Sequence, residues 1–223
     1  MRARRGVTAG WLLVGCYAAA LIAVTIGTHD ATLRPGERPD GGAAAADFIT
    51  AWERSRTATF VRTGTFERRS TVTGSVISSE DVLVQRPPQR LHRQLGGVEG
   101  RDDRRPLVCP STPSGGAPGG CTLGAATGAS YEEDVATEVA GLHTLLDGDS
   151  PVYAVAAGVD PECFDLLQRR AEPRAPFGRE AQFCFDEATG APANSRVSYV
   201  GGIVEIVVVT GIRAEVTDAD LVP

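Results

Sequence analysis

Residues 180–213 read EAQFCFDEATGAPANSRVSYVGGIVEIVVVTGIR, and this stretch decides the fold. Residues 180–187 and 194–200 carry the alternating, Val- and aromatic-rich texture of strands, and the segment ATGAP between them is a turn. Gly201-Gly202 then reverses the chain into a run that is nearly all apolar from Ile203 to Val209. A strand apolar on both sides needs cover on both, so sheet curl and a helix are expected around it. Strands joined this closely pair as consecutive hairpins, which makes the sheet antiparallel.

The same texture extends toward the N-terminus. Residues 57–69 place Phe60, Arg62, Gly64 and Phe66 on one side and Val61, Thr63 and Thr65 on the other. Residues 75–85 follow a Thr-Gly turn and stop before Pro87-Pro88, because proline cannot donate to a ladder. Residues 90–95 alternate Leu91, Arg93 and Leu95 against Arg90, His92 and Gln94, and Gly96-Gly97 leads to a further short strand ending near Cys109. Arg101, Asp102, Asp103, Arg104 and Arg105 read as a solvated hairpin. Residues 152–157 and 162–169 complete the strand set.

Two helices interrupt it. Residues 43–56 set Ala45, Phe48, Ile49 and Trp52 on one face, with Asp47 toward the start and Arg54 and Arg56 toward the end, as the macrodipole favours. In residues 130–146, Ser130 and Glu133 form a capping-box pattern. There Tyr131, Val135, Val139, Leu142 and Leu146 make the apolar stripe. Helix, strands, helix, strands describes an α+β domain built on one antiparallel sheet.

Composition sets the context. All 22 basic residues are arginine, which resembles the codon bias of a high-GC bacterium of actinobacterial type. Without lysine, Schiff-base chemistry, a P-loop and a Ser-Lys pair are excluded. Beyond residue 28, 19 arginines face 28 acids, a balance that repels phosphate backbones and argues against nucleic-acid binding.

The N-terminus has its own logic. Residues 6–28 carry no charge over 23 positions, behind Arg2, Arg4 and Arg5. At 1.5 Å per residue this length crosses a hydrocarbon core of ~30 Å. The arginines keep the N-terminus cytoplasmic and the body outside. Leu13-Val14-Gly15-Cys16 looks like a lipobox, but ten apolar or small residues, Tyr17 through Ile26, follow the cysteine. An uncleaved signal-anchor helix is therefore the favoured reading over lipidation at Cys16 or ordinary cleavage. The expected organisation is a span at 1–28, a Pro/Gly-rich linker at 29–42 and an extracytoplasmic domain at 43–223, in a single-pass protein of the cell membrane.

Four cysteines remain for the exported body: Cys109, Cys121, Cys163 and Cys184. An even number there suggests disulfides with three pairings open. The sequential one, Cys109–Cys121 with Cys163–Cys184, is favoured because each closes a short loop worth about 3 kcal/mol of chain entropy. Zinc fits poorly, since no Cys-x-x-Cys occurs and the three histidines are scattered.

The C-terminal third resembles a known family. FCFDEATGAP at 183–192, the Gly-Gly turn, the long apolar strand and the closing VTDADLVP at 216–223 look like the LolA/LppX/LprG-like superfamily of exported lipid and lipoprotein carriers. The likeness covers residues 43–223. It implies a curved half-barrel sheet capped by helices over an apolar cavity, and acyl-chain binding without catalysis. A cavity of that kind would be lined by inward Phe60, Phe66, Leu83 and Leu95. The membrane span departs from the soluble-shuttle pattern.

Reactive groups give no enzyme signature. His92 sits in a strand, His143 beside Leu142 on a helix, and Gly148-Asp149-Ser150 in the loop after it; all have ordinary structural readings. No catalytic, cofactor-binding or metal-ligating residue is assigned. The expected ligand is a lipid or acyl chain. The alternative is an envelope-protein partner docking on an ectodomain with a filled core.

Overall fold

The computed structural model describes residues 41–109, 120–126, 128–160, 162–172 and 175–223. The expected span, lipobox and most of the linker lie outside them, and no helix among the described residues is long and apolar enough to cross a membrane.

Among the described residues, eleven strands form one antiparallel sheet. They are β1 (Phe60–Ser70), β2 (Val76–Arg86), β3 (Gln89–Gln94), β4 (Gly97–Asp102), β5 (Arg105–Val108), β6 (Thr122–Leu123), β7 (Tyr153–Ala157), β8 (Cys163–Gln168), β9 (Glu180–Phe185), β10 (Pro192–Ser198) and β11 (Ile203–Arg213). Their order is β6-β5-β4-β3-β2-β1-β11-β10-β9-β8-β7. Consecutive strands pair throughout except β6 and β7, which form the two edges, and β1 pairs with β11 as well as β2, joining the two meanders at the centre. The long apolar strand is therefore central rather than terminal. Two helices, α1 (Gly41–Thr57) and α2 (Tyr131–Leu146), complete the α+β architecture.

Both helices follow from their sequences. Ser130 caps α2 by accepting the Glu133 N–H, while the Glu133 carboxylate accepts the Ser130 N–H at 2.7 Å. Tyr131, Val135, Leu142 and Leu146 are its buried face, as the periodicity predicts. Helix α1 begins at Gly41, so Asp47 lies in its second turn rather than near the start. Phe48 of α1 is fully buried among the rings of Trp52, Phe164, Phe177, Phe183 and Phe185, with centroids 5.5–6.2 Å away. Phe164, Phe183 and Phe185 come from β8 and β9, so this aromatic cluster seats α1 on that half of the sheet. A second tie is polar: the Tyr153 hydroxyl donates to Gly178 O at 3.1 Å and accepts the Phe177 N–H at 3.0 Å.

The two faces of the sheet carry different cores. Arg62 of β1 lies opposite Leu83 of β2 and Ile212 of β11, which puts Phe60, Arg62, Gly64 and Phe66 on the helix-bearing side. The other side holds Val61, Val82, Val84 and Leu91, covered in part by Val216 and Leu221. Those two belong to the C-terminal segment, where a 3-10 helix spans Asp218–Leu221 and Thr217 donates to the Asp220 carboxylate at 2.7 Å. The closing VTDADLVP thus acts as a lid on the second core.

Two expectations change. β11 is not covered along both faces: Val204 is buried, but Ile206 and Val207 are half-buried and Val208 is exposed. Its middle instead borders the helix-side cavity described below. At Gly64 the β1–β11 register shifts, and a Cβ there would run into the Val208 carbonyl oxygen, so the close approach requires glycine. Arg101 is not solvated. It bonds the Asp134 carboxylate and the Ala129 carbonyl, and it stacks on the Tyr131 ring 5.7 Å away, fastening α2 to β4.

Both disulfides form in the sequential pairing, Cys109–Cys121 and Cys163–Cys184. The second joins directly opposed residues of β8 and β9. Among the described residues no cluster of His, Cys, Asp and Glu could hold a metal ion.

Candidate functional site

On the helix side, a cavity of about 220 Å³ opens between α1, α2 and the sheet. Its apolar wall is Trp52 of α1, Leu83 of β2, Phe183 and Phe185 of β9, Pro192 of β10 and Val207 of β11. Its charged and polar lining is Arg56, Arg62, Arg90, His92, Gln94 and Glu138, with Ser55, Asn194 and Ser195 beside them. The size discriminates among ligands. It exceeds the ~150 Å³ that admits benzene and falls short of the ~300 Å³ at which drug-sized sites begin. That volume suits one short or partly inserted chain.

The polar wall is a fixed network. Asp81, with no exposed surface, receives hydrogen bonds from Arg62, from His92 Nε2 at 2.7 Å and from Gln94 Nε2 at 2.9 Å. Sheet register explains the meeting. Arg62, Leu83 and His92 are cross-strand neighbours, and Gly64, Asp81 and Gln94 form the next row on the same face. Burial pushes the Asp81 carboxyl up, but the His92 and Gln94 hydrogen bonds and the Arg62 charge together hold it below its usual 3.8. For Arg62, burial depresses the guanidinium pKa, and the Asp81 charge and hydrogen bond pull it back.

The roof is held by a second set. Glu138 of α2 accepts from Trp52 Nε1 at 3.1 Å and from Arg56 Nε at 2.8 Å. The Tyr131 hydroxyl donates to the Arg56 carbonyl at 2.6 Å, and the Arg56 guanidinium lies 5.6 Å over the Tyr131 ring. Buried Gln85 donates to the carbonyls of Ser55 and Ala58 at 2.7 and 2.9 Å, clamping the end of α1 to β2.

The four residues expected to line a cavity are separated by the structure. Leu83 lines it. Phe60 is fully buried beside Leu83 and Ala191 beneath the cavity wall. Phe66 is buried farther along the same face, away from the lining. Leu95 does not belong to a strand at all. It sits in the β3–β4 turn with φ of 52° and is 42% exposed, because β3 ends at Gln94. The lining residues that sequence reading missed include Trp52, Arg56, Arg62, Arg90, His92, Phe183, Phe185 and Val207. Arg90, His92 and Gln94 were legible as one side of a strand, but not as a side facing inward.

His92 has the hydrogen-bonded carboxylate that a general base would need. Among the described residues no hydroxyl or thiol hydrogen-bonds to it, and the Cys184 sulfur at the cavity is disulfide-bonded. His143 is exposed and bonds Asp147 at 2.9 Å. A larger, more open depression of about 310 Å³ lies between α1 and the β7–β8 turn, crossed by the Arg54–Glu162 ion pair at 2.7 Å.

No family model matches the chain, and neither does any curated protein. Among solved structures, MucB is similar at 14% identity over 82% of this chain and 64% of its own, with a TM-score of 0.44. MucB in complex with MucA(peri) is similar at 17% identity over 80% and 59%, with a TM-score of 0.41. A LolA superfamily protein from Nitrosomonas europaea is similar at 9% identity over 80% and 97%, with a TM-score of 0.33. The chain spans less than two thirds of the length of the MucB structures it matches.

Proposed function

We propose that this protein is a non-catalytic binding module, held on the outer side of the cell membrane, that takes one apolar or amphiphilic chain into the cavity beneath α1. The carrying observation is the cavity itself: aromatic and aliphatic side chains from α1, β2, β9, β10 and β11 converge on it. Such walls exclude water and reward any apolar group that enters, at roughly 25 cal/mol per Å² buried. The sheet acts as a half-barrel, with the helices roofing its inner face.

Trp52 reports on occupancy, since it lines the cavity and the chain has one other tryptophan, Trp11. In a full-length Trp11→Phe chain, ω-bromodecanol is expected to quench Trp52 emission saturably through its heavy atom. Linear, non-saturating quenching overturns the proposal.

The two disulfides support an extracytoplasmic domain, and residues 6–28 supply its anchor. Cys16→Ser is expected to leave the chain in the membrane fraction; its release into the soluble fraction would show that a lipid on that sulfur is the anchor instead.

A second reading, docking of an envelope protein, is favoured by one observation. The β1–β2 and β10–β11 turns meet through the Thr71 N–H to Gly202 O bond at 2.7 Å. Val72, Val76, Ile77 and Val200 are exposed at that end. Val72→Asp with Val200→Asp would abolish such docking and leave Trp52 quenching unchanged.

A further inference from the structure

The cavity has more cationic donors than acceptors. Arg62 is committed to Asp81 and Arg56 to Glu138, while Arg90 has no ion pair among the described residues. Among the described residues, three guanidinium nitrogens that are buried from solvent have no hydrogen-bond partner: Arg56 Nη1, Arg62 Nε and Arg90 Nε. All three arginines line the same cavity. They reach it from different elements, Arg56 from α1, Arg62 from β1 and Arg90 from β3, so no local turn chemistry accounts for their meeting. Buried donors left unpaired are costly, so the three arginines that line this space favour an acceptor brought into it. Three arginines against two carboxylates leave one positive charge over, before any proton on His92.

Resting on the binding reading above, we infer that the cavity recognises a single anionic head group, a carboxylate or phosphate ester, whose apolar tail lies against Trp52, Phe183 and Phe185. Guanidinium forks suit the planar carboxylate and the phosphate oxygens alike. The opposite wall is mainly apolar, with Ser195 between Phe183 and Val207, so a free inorganic anion would leave most of it uncovered. The ligand class is therefore a single-chain acidic amphiphile, with its charge at the sheet floor.

Arg90 is the residue to change, because it holds neither an ion pair nor a helix. With full-length Trp11→Phe protein, Trp52 quenching by ω-bromodecanoate is compared with quenching by ω-bromodecanol, and the comparison is repeated in Arg90→Met. The expected result is on the order of tenfold tighter binding of the carboxylate than of the alcohol, a preference lost in Arg90→Met and recovered in Arg90→Lys. The full-length proteins are held in one detergent, each probe's affinity is corrected for its own measured partition into the micelle, and that partition is the same for all three proteins. Equal affinity for the two probes overturns the inference while leaving the binding reading intact. A preference that persists in Arg90→Met places the anion elsewhere and also overturns it. Displacement of ω-bromodecanoate by inorganic phosphate at matching concentration would mean that a free anion is the ligand, contradicting the amphiphile. If neither probe quenches saturably but phosphate raises the melting temperature of the parent and not of Arg90→Met, the anion site stands and the chain-binding reading falls.

Discussion

Replacing Asp81 by Leu is expected to destabilise the domain by about 3–5 kcal/mol, the range for breaking a buried ion pair from one side. Asp81 has no exposed surface and Arg62 is 6% exposed, so the variant strands a buried guanidinium. It also removes the acceptor for His92 and Gln94. The paired variant Arg62→Met/Asp81→Leu separates the cost of the orphaned charge from the worth of the pair. Removing both charges is expected to cost ~1 kcal/mol or less, because the desolvation penalty of the ion pair goes with it. Urea denaturation of the three proteins measures this directly, and a double variant as unstable as Asp81→Leu would refute the account of the network. Acid gives a further check. The folded pKa of Asp81 lies below the unfolded value near 3.8. Its contribution is therefore complete above that value and is lost as pH falls from there toward the folded pKa. The stability gap between parent and Asp81→Leu should narrow only over that acid range.

Phe48→Ala is expected to cost about 3–5 kcal/mol, as for a large aromatic removed from a tight core. Phe48 has no exposed surface and meets five other aromatic rings. Few neighbours can collapse into the void, since Phe164, Phe183 and Phe185 are fixed on strands and the Cys163–Cys184 disulfide ties β8 to β9. The consequence reaches the cavity. Phe48 seats the helix that carries Trp52 and Arg56, so Trp52 emission should shift to the red in the folded variant. A loss under ~1 kcal/mol with unchanged emission would show that α1 is held mainly by its polar ties, Glu138 and Gln85.

What could be read from the sequence was local. The Ser130–Glu133 capping box, the apolar face of α1 and the hairpin turns each depend on residues a few positions apart, and each formed as the spacing dictates. The cysteine pairing was also legible, because short loops favour it. The polar floor was not. Arg62 and Asp81 are 19 residues apart, and His92 lies on a third strand. Only the register of three strands brings them together. Alternation in β1 shows two sides and does not say which one faces the helices, because both sides bury apolar residues: Phe60 and Phe66 on one, Val61 on the other. Leu95 failed for a related reason. One residue decides whether the strand continues, and Leu95 adopts a left-handed backbone that its side chain gives no hint of. A usable signal was present in Asp81-x-Leu83-x-Gln85, where charged, apolar and amide side chains share one side of a strand. That mixture is unusual for either a solvated or a greasy face, and here it marks the buried polar support of the cavity, with Leu83 in its lining.

The central claim is that the space beneath α1 holds a single acidic chain. Native mass spectrometry of the full-length protein, released gently from membranes of a high-GC host, tests it most directly. The account predicts a population heavier than the bare chain by the mass of one single-chain acidic amphiphile, and its loss in Arg90→Met. Bare protein in every preparation, or an adduct that is neutral or multiply acylated, would contradict it.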